Sequence, residues 1–172
     1  MSFKNFLNSI TESKLISESS KSDDVKIQFH NNKSDLYGDK NTVVVDFDNA
    51  EIEKGDLHIP VYPAISDTED EYTHENVYAF LVIEYDIDAK HEKQTYDNPE
   101  YYEFNLSLKK IKVEDITING DEYQDAGDRL KALLNDKDKL KKIGEAILLD
   151  SGVESFIEKD FLKNIEKEKD SY

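Results

Sequence analysis

The amino-acid sequence predicts an α+β fold: a mainly antiparallel sheet of five to seven strands packed against two or three C-terminal helices, preceded by a short N-terminal amphipathic helix. Two observations carry this reading. From Val25 to about Tyr123 apolar residues recur at every second position, the period of half-buried strands. From about Asp125 onward they recur at helical spacing. A third observation sets strand direction. The strands are joined by turn-like segments rather than helices, which favours antiparallel neighbours. Residues 1–22 read as an N-terminal helix and flexible linker. Residues 23–172 read as a single domain, β-rich over 23–124 and helical over 125–172.

Phe3, Phe6, Leu7 and Ile10 share one face of the opening helix, with Ser2 as its cap. Leu15 and Ile16 fall off that face, and the polar run from Ser17 to Asp24 reads as a solvated tether. Val25, Ile27 and Phe29 mark the first strand, and Asn31 to Asn41 is turn material. Val43, Val45 and Phe47 mark the second strand; Leu57, Ile59 and Val61 mark another. Pro60 sits within the latter, which suggests a sheet edge because proline lacks a ladder donor. Val77 to Ile87 is the strongest strand. Tyr78, Phe80 and Val82 make half of its second face apolar, so cover on both sides is expected, with the C-terminal helices as the cover.

Tyr102, Phe104, Leu106 and Leu108 alternate cleanly, but Ile111 and Val113 are out of phase with them. A β-bulge at Lys109-Lys110 repairs the register. Ile116 and Ile118 lead into Asn119-Gly120, which reads as a two-residue hairpin turn. In the tail, Ala126, Leu130, Leu133 and Leu134 form one stripe, and Leu140, Ile143 and Ile147 the next. Gly152 is expected to end that second helix. Val153, Phe156, Ile157, Phe161 and Ile165 form a third stripe, and Glu166 to Tyr172 are expected to fray.

The formal charge of the 172-residue chain is −17, and it is unevenly placed. Residues 22–124 hold 9 basic and 25 acidic side chains, so nearly all of the excess sits on the β-rich segment. Such a field repels nucleic acid and anionic membrane and favours a protein partner with a basic surface. The absence of Cys rules out disulfides and thiolate metal sites. No apolar run is long enough to span a bilayer as a helix.

Two D-x-D pairs close apolar strands: Asp46 with Asp48, and Asp86 with Asp88. Asp46 and Asp48 resemble the way haloacid-dehalogenase-like phosphatases present a nucleophile and Mg²⁺ ligands. The βα alternation of those enzymes does not follow, so a metal-dependent phosphohydrolase is only an alternative here. On the simpler reading, Asp46 and Asp48 face water at a turn. Convergence of both D-x-D pairs on one cation is a second arrangement the pattern allows. His30, His58, His74 and His91 are scattered without metal-ligand spacing and read as ordinary surface or core residues. No phosphate-cradling glycine loop and no nucleophile elbow is present. The expectation is a protein without enzymatic activity and without a cofactor. Two acidic, tyrosine-bearing stretches are the candidate contact surface: Asp67, Glu69, Asp70 and Glu71, and Tyr96, Asp97, Glu100, Tyr101 and Glu103. Tyrosine supplies contact area at low entropy cost, and carboxylates spaced along a rigid sheet imitate duplex phosphates.

The leader resembles the capsid-targeting peptides of internal head proteins of large contractile-tailed bacteriophages. Those begin with a short amphipathic helix bearing Phe and Ile, and end at a prohead-protease site of the type (Ile/Leu)-x-Glu. This chain has Ile10-Thr11-Glu12, and Ile16-Ser17-Glu18 leading into Ser19-Ser20. The resemblance implies processing after Ile16, Ser17 and Glu18, packaging in the virion head and delivery into the host cytoplasm. It also implies an accessory role, in some members the blocking of a host defence protein. The acidic β-rich body departs from the small basic pattern common in that group and points to a protein target rather than to DNA. The alternative expectation is a bacterial cytoplasmic immunity or inhibitor protein that neutralises a basic toxin or nuclease.

Overall fold

The structure, a computed structural model, describes residues 24–30, 37–66 and 69–170. The N-terminal helix, the processing residues Ile16, Ser17 and Glu18, and the contact candidate Asp67 lie outside the described residues. The fold is α+β, as the change of period predicts. Strands are β1 (Lys26–Phe29), β2 (Thr42–Val45), β3 (Glu51–Glu53), β4 (Asp56–Pro63), β5 (Val77–Glu92) and β6 (Tyr101–Ile118). The described helices are the single turn α1 (Thr73–Asn76), then α2 (Gln124–Leu134), α3 (Lys137–Leu149) and α4 (Ser151–Asp170).

The strands form one sheet in the order β1-β2-β4-β5-β6, with β3 also pairing β4. Pairing is antiparallel except between β1 and β2, which run parallel with Ile27 opposite Val43. At the turn entering β2, Asp39 accepts from Asn41 N at 3.0 Å, Thr42 Oγ1 at 2.9 Å and Lys26 Nζ at 3.0 Å. The Lys26 ammonium, followed by the Thr42 hydroxyl, holds this carboxyl below its ordinary range.

Alternation places Val43, Val45, Leu57, Ile59, Val61, Val77, Ala79, Leu81 and Ile83 on one sheet face, all fully buried. Leu130, Leu133 and Leu134 of α2, Ile143, Ile147 and Leu148 of α3, and Val153 and Ile157 of α4 close the core over them. Gly127 lets α2 approach β6: a Cβ there would lie 2.2 Å from Ile118 Cδ1. Asp136 caps α3 by accepting from Asp138 N at 3.0 Å and Lys139 N at 3.2 Å.

Several expectations are corrected. Pro60 is not on an edge, because β4 is central. Asp46 N donates to Pro60 O at 2.9 Å, so the side of Pro60 that lacks a donor faces the gap where the chain leaves β2 before starting β3. Phe47 lies in a 3₁₀ turn rather than a strand and packs edge-on against Phe156, ring centroids 5.7 Å apart. Asn119-Gly120 makes no hairpin. Gly120, at φ +110°, turns the chain directly toward α2, and β6 is the last strand described. Gly152 lies in the first turn of α4, while α3 ends at Leu149. The α4 backbone stays helical to Asp170, so Glu166 does not begin a frayed end. The bulge at Lys109 is present, since Glu84 pairs Lys110 and Tyr85 pairs Leu108. A second bulge follows at Asp115, at φ +52°. The three C-terminal helices share one sheet face, so Tyr78 and Phe80 on the other receive no helix from them.

Candidate functional site

Two features stand out, a cavity on the face away from the long helices and an arm that one of those helices braces. The first is a cavity of about 530 Å³ lined by Asn49, Glu51, His58, Pro60, Tyr62, His74, Glu75, Tyr78 and Phe80. Its geometry follows from strand periodicity. His58, Pro60 and Tyr62 are alternate residues of β4, and His58 and Pro60 face Val82 and Phe80 of β5 across the ladder. The α1 turn adds His74 and Glu75 on one side, and the 47–51 segment adds Asn49 and Glu51 on another. Pro60 is buried; His58, Tyr62, His74, Tyr78 and Phe80 are half-buried; Asn49, Glu51 and Glu75 are exposed at the rim.

Beside the cavity, Asp46 is 4% exposed. Its Oδ2 accepts from Tyr62 Oη at 2.5 Å and from Asn49 Nδ2 at 2.7 Å. Burial, and then the Asp46 carboxylate, push the Tyr62 phenol well above its ordinary range, so Tyr62 stays a proton donor. Three rings meet here edge to face: Tyr62 and His74 at 5.7 Å, His30 and His74 at 5.9 Å, and His30 and Tyr62 at 6.0 Å. His74 Nδ1 is buried without a hydrogen-bond partner.

This arrangement revises two sequence expectations. Asp46 does not face water at a turn, although Asp48 is exposed. The two D-x-D pairs do not converge. Asp46 bonds to Pro60, which faces Phe80, and Asp86 lies about 20 Å farther along β5. Among the described residues no group of three or more His, Asp and Glu side chains is placed to share a metal ion.

The second feature is an arm. Beyond Ile83, β5 leaves β4 and continues with β6 as a two-stranded ribbon. Its inner face carries Tyr85, Ile87, Phe104, Leu106 and Leu108. The rings of Tyr102 and Phe104 sit 6.4 and 5.4 Å from Phe161 of α4, which braces the ribbon. Near the tip, His91 stacks on Tyr102 at 4.8 Å and pairs with Glu100. The outer face presents Asp86 and Asp88 opposite the neutral Ser107 and Asn105, whereas Glu103 faces Lys90.

The two predicted contact stretches fall at opposite ends of β5. Glu71 precedes it and Tyr96 follows it, and its 16 residues span about 50 Å. Tyr96 is fully exposed, Tyr101 is 52% exposed, and Asp97, Glu100 and Glu103 are exposed beside them, so these five residues form one tip. In the other stretch Asp70 is exposed, but it ties down its own turn by accepting from Tyr72 N at 3.0 Å. Glu71 is half-buried. Glu69 is held internally by the only arginine of the sequence. Arg129 Nη1 and Nη2 donate to its two carboxylate oxygens at 2.6 and 2.9 Å, and Nη2 also donates to Ala64 O at 3.0 Å. Burial pushes the Glu69 carboxyl up, but Arg129 and the Ser66 N–H outweigh it and hold it below the ordinary range.

Sequence reading missed the meeting of His30 and His74 at Tyr62, and the placing of His58 and His74 on one cavity. The signal was available in the same alternation used for the core. His58, Pro60 and Tyr62 occupy the positions between Leu57, Ile59 and Val61. No described helix is long and apolar enough to cross a membrane. Comparisons with protein-family models, with curated proteins and with solved structures find no match to this chain.

Proposed function

We propose that this chain is a non-enzymatic accessory protein that acts by binding another protein with a basic surface. The observation that carries the proposal is the arm. A ribbon buttressed on one face by α4 holds Tyr96, Asp97, Glu100, Tyr101 and Glu103 at an exposed tip, with Asp86 and Asp88 behind them. A rigid scaffold carrying exposed tyrosines and carboxylates lowers the ordering cost of association and steers a basic partner toward it. The lysines Lys109, Lys110 and Lys112 guard the edge strand β6 against unspecific pairing, which leaves side chains rather than the strand edge as the contact.

The leader's likeness to capsid-targeting peptides supports a phage setting, with packaging in the head and processing after Glu18. Against the phosphohydrolase alternative stands the state of Asp46. Its Oδ2 already accepts two hydrogen bonds, and Asp48 points from an exposed turn. Capture from host lysate with the full chain and with a Tyr96→Ala/Asp97→Asn/Tyr101→Ala variant tests the binding proposal. One basic protein is expected to be retained by the parent, released by salt and lost with the variant. Equal retention by both chains overturns the assignment to the arm. The virion setting is tested by the N-terminus of the virion-associated form, expected to be Ser19; an intact Met1 in virions refutes the processing. Gene neighbourhood beside a toxin, with no virion association, favours the immunity-protein alternative.

A further inference from the structure

We infer that the back-face cavity is a binding site for an organic cation, an ammonium or guanidinium group carried on apolar carbon. This rests on residues separate from the arm. Three aromatic side chains, Tyr62, Tyr78 and Phe80, line the cavity over the apolar floor of Pro60, and Tyr78 and Phe80 meet edge to face at 6.0 Å. Aromatic faces attract cations through the ring quadrupole, most strongly where water is displaced. Glu51 and Glu75 stand exposed at the rim, and the buried Asp46 lies behind Tyr62. Among the described residues that line the cavity there is no lysine or arginine. The site therefore repels anions and lowers the energy of a positive charge over the rings. The volume, about 530 Å³, admits an alkylamine or an arginine side chain and exceeds what a bare metal ion needs.

The cation has two sources, a free amine or the basic side chain of a bound protein, and the test separates them. Choline, agmatine and the blocked tripeptide Gly-Arg-Gly are titrated into the full chain at pH 8 while backbone amide shifts are followed. The neutral isostere of choline, 3,3-dimethyl-1-butanol, is the control. The expected result is a saturable shift of amides in residues 49–51, 58–62 and 74–80, with Kd about 1 mM or tighter for at least one cation. The neutral isostere is expected to bind about tenfold more weakly. The Glu51→Gln/Glu75→Gln variant changes only exposed rim side chains. It should keep its urea midpoint and lose about tenfold in affinity for the cation. Tighter binding of agmatine or choline than of the tripeptide identifies a free amine; the reverse order identifies a partner's side chain. If no cation perturbs these amides at about 10 mM, or if the neutral isostere binds equally, or if the variant binds unchanged, the inference is wrong. None of these outcomes bears on capture through the arm.

Discussion

At the scale of single residues, Arg129 is the described cation with the most consequence. It holds Glu69 by two parallel bonds and the Ala64 carbonyl by a third, pinning the loop between β4 and α1 to α2. Arg129→Ala leaves a partly buried carboxylate and a carbonyl without their donor. The expected cost is about 2 kcal/mol in urea unfolding, together with faster amide exchange over residues 69–72. The sign with pH follows from the lowered Glu69 carboxyl. Its contribution is fully present above the unfolded carboxylate range of about 4.3 and is lost as pH falls through the lower folded value. Tyr85 works at the other end of the scale. Burial first, then Asp160 and Asp56, push its phenol up to about 12. A group raised on folding stabilises below its unfolded pKa of about 10 and loses that contribution as pH rises toward the folded value. Parent stability should therefore fall between about pH 10 and 12, and Tyr85→Phe should flatten that fall. Tyrosinate absorbance alongside urea midpoints checks it; an unchanged slope in the variant would show that Tyr85 titrates normally.

At the scale of elements, the close crossing of α2 over β6 sets a sharp test of packing against propensity. Alanine favours a helix interior by about 1 kcal/mol over glycine. At Gly127, however, a Cβ would overlap Ile118 at 2.2 Å. Gly127→Ala is expected to destabilise by about 1–3 kcal/mol, packing outweighing propensity. A stabilised variant would show that α2 sits farther from β6 than described. The same region shows what the sequence pattern discloses. The first phase break, Leu108 to Ile111, was legible as a bulge because the mismatch is a single residue and two lysines mark it. The break from Val113 to Ile116 has the same form and went unread, since a left-handed Asp115 leaves no glycine signature. Asn119-Gly120 was read correctly as a turn and wrongly as a hairpin. Turn chemistry fixes the local φ of Gly120 but not whether a strand or a helix follows. Pro60 misled for a related reason. Its missing donor does demand an open side, but a break between β2 and β3 supplies one in mid-sheet.

At the scale of the whole molecule, the α+β class was legible because period 2 and helical period occupy separate stretches of chain. The arm tip was legible because its five residues are nearly contiguous. The cavity was not, because Asn49, Tyr62, His74 and Phe80 come from separate segments that only the folded chain brings together. The placement of charge leads to a prediction in which stability and binding respond oppositely to one variable. With a formal charge of −17, the compact state repels itself, and salt screens that repulsion beyond a Debye length of about 10 Å at 0.1 M. The internal ion pairs lose little, since Arg129 and Glu69 are mostly buried and the exposed Lys26–Asp39 pair is worth little at any salt. Raising NaCl from about 0.01 M to 0.3 M should therefore stabilise the fold by on the order of 1 kcal/mol. Over the same range, affinity for a basic partner at the arm should weaken steeply, because there the screened interaction is attractive. Urea midpoints and partner affinity, measured in the same salt series, check both signs. A fold that loses stability with salt would mean that attractive surface pairs outweigh the net repulsion. The carboxylates of the arm would then already be neutralised within the chain and would have no field left to offer a partner.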